Sequence, residues 1–267
     1  MAKASSDRDG VVVLATYNTR VPCDPPPYDW ASRKDRILKV IADDGFDIFG
    51  VQEIGPDQIA DLVADGVFAR IGGGRDDFKD KGEHCCIFYR KDRFELEAGG
   101  TFSLSEKPDE PGLRSWGSCC PRIATWGRFV DKATGCKFVY YNTHLDHVSE
   151  LAREEGIKLV VRHAAGNSAG LPLVLTGDFN AYPESETYRV AAELLRDSRA
   201  ISKTGHKGPD TTWHGWGKFE GPDTPIDYIF VSDGIEVLSH VTDDVKPFGE
   251  YASDHFPVIA KLVFPKA

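Results

Sequence analysis

No apolar run in these 267 residues approaches the ~20 that a helix needs to cross a bilayer, so a helical membrane protein is excluded. No secretory leader is expected either: the polar "MAKASSDRDG" passes directly into "VVVLATY", without a basic-then-apolar layout or a small-residue cleavage site. A soluble, cytoplasmic monomer with no membrane span is the expectation. The cysteines lack C-x-x-C spacing. Cys23, Cys85, Cys86, Cys119, Cys120 and Cys136 include two adjacent pairs, a pattern that suggests neither a zinc site nor a secreted disulfide framework, and buried free thiols are expected. Positive charge is in deficit, 32 Lys and Arg against 42 Asp and Glu for a net charge of −10. A long nonspecific grip on a phosphate backbone needs clustered Lys and Arg, so that mode of binding is disfavoured, although a basic cleft can sit in an acidic surface. Neither an internal repeat with a period of about 20 to 50 residues nor a low-complexity linker is visible.

What remains is an ordinary globular composition, 41% apolar and 28% charged. The length exceeds the usual size of one domain, but α/β folds reach it around a single core. Residues 11–265 are therefore read as one domain behind a loosely ordered segment, residues 1–10. "VVVLATY" and "FDIFGVQE" flank the helical "WASRKDRILKVIADDG", which is an α/β opening. Pro56 opens a second helix, with Ile59, Leu62 and Val63 on one face before Gly66. Strand patterns recur at "CCIFYRK", "RIATWGRFVD", "CKFVYYNTHL", "LPLVLTGDFN", "IDYIFVS" and "HFPVIAKLVF", with helical stretches near residues 150–165 and 185–195. Many strands with few helices predict mixed sheets carrying helices on their outer faces. Gly, Pro and charge mark long loops over residues 72–83, 103–121 and 203–225, lengths that in a compact domain are usually functional or mobile.

Polar residues gather where the expected strands stop: Asn18, Glu53, Asn142, His144, Asp146, Asp178, Asn180, Asp227, Asp254 and His255. Each alone has a structural explanation, since Asn and Asp favour turns and caps. Together they carry more, because a sheet directs its strand ends towards a common edge where distant residues converge. Glu53, Asp254 and the amide oxygen of Asn18 are hard oxygen ligands suited to Mg²⁺ or Mn²⁺. Asp178 can orient or deprotonate a water, and Asn180 and His144 can donate to phosphoryl oxygens. Asp227 can hold one ring nitrogen of His255 and favour its charged form. Asp178 and Asn180, one residue apart, project to the same side if the strand continues through them.

In order along the chain, Asn18, Gln52-Glu53, "NTH" at 142–144, "GDFN" at 177–180, "DYIF" at 227–230 and "SDHFPV" at 253–258 resemble the endonuclease/exonuclease/phosphatase superfamily, over about residues 11 to 263. The resemblance implies a deoxyribonuclease I-like α/β (α+β) four-layer sandwich, two packed mixed β-sheets flanked by helices, with the active site at one edge. It implies metal contact by Glu53 with Asn18 and Asp254 nearby, Asp178 on the attacking water, Asn180 and His144 on the scissile phosphate, and an Asp227–His255 pair. The expected activity is divalent-metal-dependent phosphoester hydrolysis with Mg²⁺ or Mn²⁺, by in-line attack of an activated water. "NTH", where abasic-site endonucleases place a Tyr, looks more like the deadenylase, phosphatase and sphingomyelinase branches. "CCPRIATWGRF" and "THLDHVSELAREEG" are similar to bacterial-type members of unassigned substrate, among them a sugar-phosphate phosphatase, so a small phosphate and a nucleic acid both stand as substrates.

Arg33, Arg75, Glu83, Arg122, His147 and Arg153 form a candidate substrate-facing layer. Arg122 leads it, because a guanidinium presents a bidentate fork to phosphate; His147 and Arg153 follow. Trp116, Trp213, Trp216 and Phe219 are expected to pack loops onto the sandwich rather than stack on bases, since no interleaved Lys and Arg accompany them. An inactive binding protein keeping the fold is the alternative, and it predicts loss of Glu53, Asp178 or His255, all of which are present. A glycosidase built on Glu53 and Asp178 would leave the Asn residues and the Asp–His pair without a role.

Overall fold

A computed structural model describes residues 10–266, so the loosely ordered segment expected at the N-terminus lies, but for Gly10, outside the described residues. The first half runs β1 (Val11–Asn18), α1 (Trp30–Asp43), β2 (Ile48–Gln52), α2 (Pro56–Val63), β3 (Phe68–Ile71), β4 (Ile87–Arg90), β5 (Phe94–Ser103), β6 (Ile123–Asp131) and β7 (Lys137–His144). The second runs α3 (Glu150–Asn167), β8 (Leu173–Asp178), α4 (Glu186–Leu194), β9 (Arg196–Asp197), α5 (Ser198–Ile201), β10 (His206–Lys207), β11 (Asp227–Val231), β12 (Glu236–Thr242) and β13 (Val258–Val263). One seven-stranded sheet has the order β10-β12-β13-β1-β2-β4-β3, and a six-stranded sheet has the order β5-β6-β7-β8-β11-β9. Both are mixed: β1 pairs parallel with β2 and antiparallel with β13, while β8 pairs parallel with β7 and antiparallel with β11. The mixed sheets are those that the strand pattern predicts, and with helices outside them they make the four-layer sandwich that the resemblance implies.

The layers follow from the two-residue period of a strand, which sends alternate side chains to opposite faces. Val12 and Leu14 of β1 join Phe138 and Tyr140 of β7, Val174 of β8 and Ile229 of β11 in the core between the sheets. Their neighbours Val13, Ala15 and Tyr17 pack outward with Ile37, Val40 and Ile41 of α1. On the other side Val139, Tyr141, Leu173 and Leu175 pack with Ile157, Val160 and Ala164 of α3. Each buried Val, Leu, Ile or Phe contributes about 1.5–3 kcal/mol, and three such clusters hold the layers together.

Along the inter-sheet face the same parity runs from apolar to polar to ionisable. It reads Val12, Leu14, Thr16, Asn18 on β1; Phe138, Tyr140, Asn142, His144 on β7; and Val174, Thr176, Asp178 on β8. The middle of that series is a buried hydrogen-bond layer. The Asn142 amide donates to Val51 O and Cys86 O, both at 3.0 Å, and accepts from Gln52 Nε2 at 2.7 Å and Thr176 Oγ1 at 3.2 Å. Asn142 thus stitches the sheets together and is not part of the open site. Gly50 gives it room, since a Cβ there would lie 2.4 Å from Asn142 Oδ1. The two sheets therefore stay in register up to the tips, where the ionisable residues emerge.

Candidate active site

The tips of β1, β2, β7 and β8 and the start of β11 meet at one edge. Register places His144 opposite Asp178, Asp227 opposite Asp178, and Asn18 opposite Gln52. They surround a cleft of about 590 Å³ lined by Arg20, Glu53, Arg75, Glu83, Cys119, Cys120, Arg122, His144, His147, Asp178, Asn180, Trp213, Asp254 and His255.

Asp178 sits at the centre, 1% exposed. Its Oδ2 accepts from Asn18 Nδ2 at 3.0 Å and lies 3.5 Å from His144 Nε2 and 3.7 Å from His255 Nε2; its Oδ1 accepts from Asn180 N at 2.9 Å. Burial, then the charge of Asp227, push the Asp178 carboxyl up to about 7, against the pull of His255 and its hydrogen bonds. His255 Nδ1 is 2.9 Å from Asp227 Oδ2, which also accepts from Thr212 Oγ1 at 2.6 Å. Burial works against charge on His255, but the Asp227 carboxylate, aided by Asp178 and Asp254, outweighs it and raises the imidazole to about 10. Its Nε2–H therefore stays positive and faces Asp178. His144 goes the other way: burial, then Arg122 and the other two histidines, hold it well below the usual imidazole value, so it is neutral.

Two backbone kinks aim the flanking groups. Glu53 and Asn180, the residues after β2 and just after β8, take left-handed φ of 57° and 48°. Such a conformation costs a residue with a Cβ about 1–2 kcal/mol and recurs at functional sites. Gly177 is required beside them, because a Cβ there would come within 2.1 Å of Thr143 O. Asn180 therefore reaches the cleft through a turn, not by the continued strand that the spacing suggested. Its amide is also committed differently: Nδ2 donates to Leu145 O and to His144 Nε2, both at 3.1 Å, instead of standing free for a phosphate.

Glu53 Oε1 accepts from Asn18 Nδ2 at 3.1 Å and Oε2 from Val21 N at 3.2 Å. Here too the amide faces the other way from the expectation: the Asn18 oxygen accepts Arg20 N at 3.0 Å, and its NH₂ bridges the Glu53 and Asp178 carboxylates. Between Glu53 and Asp254 stands the Arg20 guanidinium, 3.7 and 3.8 Å from the two carboxylates while its main pairing, at 2.8 Å, is to Asp24. Two carboxylates that converge on a cation at such long range, while it pairs elsewhere, mark a place where a hard divalent ion fits by charge and donor type. Asp178, Asp227 and His255 also converge, with one donor atom from each lying within 4.8 Å of the others. An imidazolium has no lone pair for a metal, so this trio reads as a proton-handling group.

The candidate substrate-facing layer divides. Arg122, 6% exposed, lines the cleft, its Nε 3.4 Å from Asp146 Oδ2 and its Nη2 donating to His147 Nδ1 at 2.9 Å. Arg75 and Glu83 pair at 2.9 Å on the same wall. Arg153 does not reach the main cleft. It donates to Asp146 O at 3.0 Å and lines a neighbouring cavity of about 260 Å³ with Tyr182, Trp213 and Phe219. Arg33 is fully buried, and its guanidinium donates to the carbonyls of Thr19, Arg20, Val21, Tyr28 and Ala252, so it braces the loop after β1 and does not line this cleft. Trp216 packs as expected, stacked on Tyr28 at 4.2 Å, but Trp213 lines the cleft and donates to Asp254 Oδ2 at 3.4 Å. The thiols are not all buried: Cys23 is exposed, and Cys119 and Cys120 line the cleft. Arg20 went unnoticed in the sequence, although it follows Asn18 by two residues in the loop leaving β1.

The model of the Endonuclease/Exonuclease/phosphatase family matches residues 15–255. A solved endonuclease/exonuclease/phosphatase from Bacteroides vulgatus is 38% identical and superposes with a TM-score of 0.88, covering 94% of this chain and 98% of that one. The mannosyl-6-phosphatase of Bacteroides thetaiotaomicron is 34% identical with a TM-score of 0.87, covering 95% of this chain and 100% of that one. Nocturnin of Drosophila melanogaster is 26% identical over 215 residues, 66% of this chain and 32% of that protein. The chain spans between 32% and 48% of the length of the curated relatives it matches. With the family model matching most of the chain and a solved member 38% identical over 94% of it, the chain belongs to the endonuclease/exonuclease/phosphatase family, whose members are phosphoester hydrolases.

Proposed function

We propose that this chain is a divalent-cation-dependent hydrolase of a small phosphomonoester, of the sugar-phosphate kind. The observation that carries the hydrolase reading is the buried Asp178 carboxyl with its value near 7, facing the charged Nε2 of His255 at 3.7 Å across the floor of an open cleft. A group poised near neutral pH is suited to taking a proton from water, and an imidazolium beside it is suited to a developing negative charge.

Asp178 orients the attacking water and accepts its proton, while Asn18, bridging Glu53 and Asp178, keeps the two carboxylates apart. His255, charged and oriented by Asp227, offers its Nε2–H to a non-bridging oxygen. Arg122 supplies a second positive group from the opposite wall, with His147 beside it. Asn180 Nδ2, which donates to Leu145 O and His144 Nε2, is the neutral donor a phosphoryl oxygen would draw into the cleft. Glu53 and Asp254 would hold Mg²⁺ or Mn²⁺, displacing the loose Arg20 contact. When bound, the cation supplies positive charge at the phosphoryl and leaving oxygens.

The small monoester is favoured by the net charge of −10, by the modest cleft, and by the likeness to the mannosyl-6-phosphatase. A phosphodiester is the second reading. The neighbouring cavity with Trp213, Phe219 and Tyr182, which adjoins the cleft at Asn180, offers aromatic faces for a base on the far side of the phosphate. Hydrolysis of a sugar-phosphate panel, p-nitrophenyl phosphate, bis-p-nitrophenyl phosphate, RNA and single- and double-stranded DNA, with Mg²⁺, Mn²⁺ or EDTA, separates the two. Monoester turnover abolished by EDTA and by Asp178→Ala is the expected result. Diester preference would favour the second reading, and activity surviving Asp178→Ala and His255→Ala would overturn the mechanism.

A further inference from the structure

A second group of ligand-type side chains lies on the wall of the cleft, away from Glu53 and Asp254. Cys119 and Cys120, from the loop before β6, face Asp146 and His147 in the turn after β7. Cys119 Sγ is 3.6 Å from Cys120 Sγ, 3.1 Å from Asp146 Oδ2, and 3.6 and 3.8 Å from the two ring nitrogens of His147. Among the described residues, Cys119, Asp146 and His147 each offer a donor atom within 4.8 Å of the others. A tetrahedral zinc ion has Zn–S near 2.3 Å and Zn–N or Zn–O near 2.0–2.2 Å. Simple geometry then sets its ligand edges at about 3.8 Å for sulfur to sulfur and about 3.6 Å for sulfur to nitrogen or oxygen. The edges from Cys119 Sγ are close to these, the one to the Asp146 carboxylate being short, and Cys120 Sγ, outside that three-residue group, would complete the tetrahedron by a side-chain rotation.

We propose that Cys119, Cys120, Asp146 and His147 form a second cation site, selective for a soft divalent ion such as Zn²⁺ and distinct from the hard oxygen site at Glu53 and Asp254. Two sulfurs and an imidazole favour such an ion over Mg²⁺, which prefers oxygen. Binding forms two metal–sulfur bonds and sends the thiol protons to solvent. Burial, then the Asp146 carboxylate and Cys120, hold the Cys119 thiol protonated up to about 12, so apparent affinity rises with pH. Two thiolates and one carboxylate exceed the charge of the ion by one, and two guanidiniums stand ready to offset it. Arg75 Nη1 is 3.6 Å from Cys120 Sγ, and Arg122 Nε is 3.4 Å from Asp146 Oδ2.

Occupancy also reaches Arg122. Its Nη2 donates to His147 Nδ1, which must offer a lone pair. A metal on Nδ1 takes that lone pair, and a metal on Nε2 leaves a proton on Nδ1 facing a second donor. Either way that bond ends, which frees Arg122 Nη2 while its Nε stays beside Asp146 Oδ2. The regulatory consequence rests on the proposed role of Arg122 at the phosphate; the site itself does not.

The test is optical, so it fails or succeeds independently of the hydrolase reading. The reduced full chain, saturated with Mg²⁺, is titrated with Co²⁺. A sulfur-to-cobalt charge-transfer band with tetrahedral visible bands should grow to one Co²⁺ per chain and disappear on adding one equivalent of Zn²⁺. Cys119→Ser and Cys120→Ser, with folding checked by circular dichroism, should each weaken Co²⁺ binding by an order of magnitude or more. Cys23→Ser, at the exposed thiol outside the cluster, should leave binding unchanged. Absence of the charge-transfer band, or its survival in both cluster variants, would overturn the proposal.

Discussion

Replacing Asp178 by Asn should abolish hydrolysis and at the same time stabilise the metal-free protein, by an amount that depends on pH. The carboxyl rises from an ordinary value of 3.8 to about 7 on folding, because burial and Asp227 penalise its charged form. A carboxylate with a raised folded value binds more protons in the native than in the unfolded state, so stability falls as pH climbs from about 4 to 7. At about 1.4 kcal/mol per unit, the raised Asp178 carboxyl costs roughly 4 kcal/mol at pH 8 and roughly 2 kcal/mol at pH 5, where it is protonated in the folded protein. Asn keeps an acceptor but cannot serve both Asn18 Nδ2 and Asn180 N, and losing one hydrogen bond returns about 1 kcal/mol or somewhat more. The net gain is roughly 2–3 kcal/mol at pH 8 and near zero at pH 5. For a chain of this size that is on the order of 5 °C or more in Tm at the higher pH. Thermal unfolding of wild type and variant in EDTA, followed by circular dichroism at both pH values, measures it. A variant no more stable than wild type at pH 8, or a gain of equal size at pH 5, would refute the reasoning.

The other expectations concern the remaining parts of the site. Asp227→Asn removes the charge that holds His255 near 10, so the alkaline limb of the kcat/KM profile should move several units towards neutral pH, with a rate loss of about 10²–10⁴, read in a pH–rate series. In the wild type, kcat/KM should fall as pH drops through the Asp178 value, at or below about 7, because the base must be ionised; a bound cation shifts this limb lower. Arg122→Lys should raise KM nearly as much as Arg122→Ala, because a point charge lacks the guanidinium fork, and initial-rate kinetics compare them. Gly50→Ala, which drives a methyl against Asn142 Oδ1, should destabilise the inter-sheet polar layer by about 1–3 kcal/mol in urea titration, without touching any cleft residue.

Much of the fold is legible in the chain because the strands that carry it are central. β1, β7, β8 and β11 are buried on both faces and read as runs of Val, Leu, Ile, Phe and Tyr ended by polar residues. The strands that escaped notice are peripheral or irregular. β3 is only partly buried along its length, β5 carries Glu and adjacent glycines with a register shift between Leu96 and Ala98, β12 shifts register between Val237 and Ser239, and β9 and β10 are two residues each, β10 inside an expected loop. Their pairing is set by neighbours far along the chain and leaves little periodicity of its own.

The order of polar residues at strand ends was enough to assemble Asn18, Glu53, His144, Asp178, Asn180, Asp227, Asp254 and His255 as candidates, because strand ends of one sheet share an edge. By itself the sequence thus determined which residues emerge at the tips, and it did so through the two-residue period: Asn18, His144 and Asp178 follow apolar residues on a single face. Tertiary structure alone decided what those residues do to one another. Left-handed turns at Glu53 and Asn180 re-aim their side chains, and the donation of the Asn18 amide to two carboxylates and the withdrawal of Arg33 into a cage of carbonyls rest on long-range contacts, whereas the Asp227–His255 pair is already expected from the sequence. Residue order does not encode orientation across two sheets; packing does, by fixing where each polar group finds its partner.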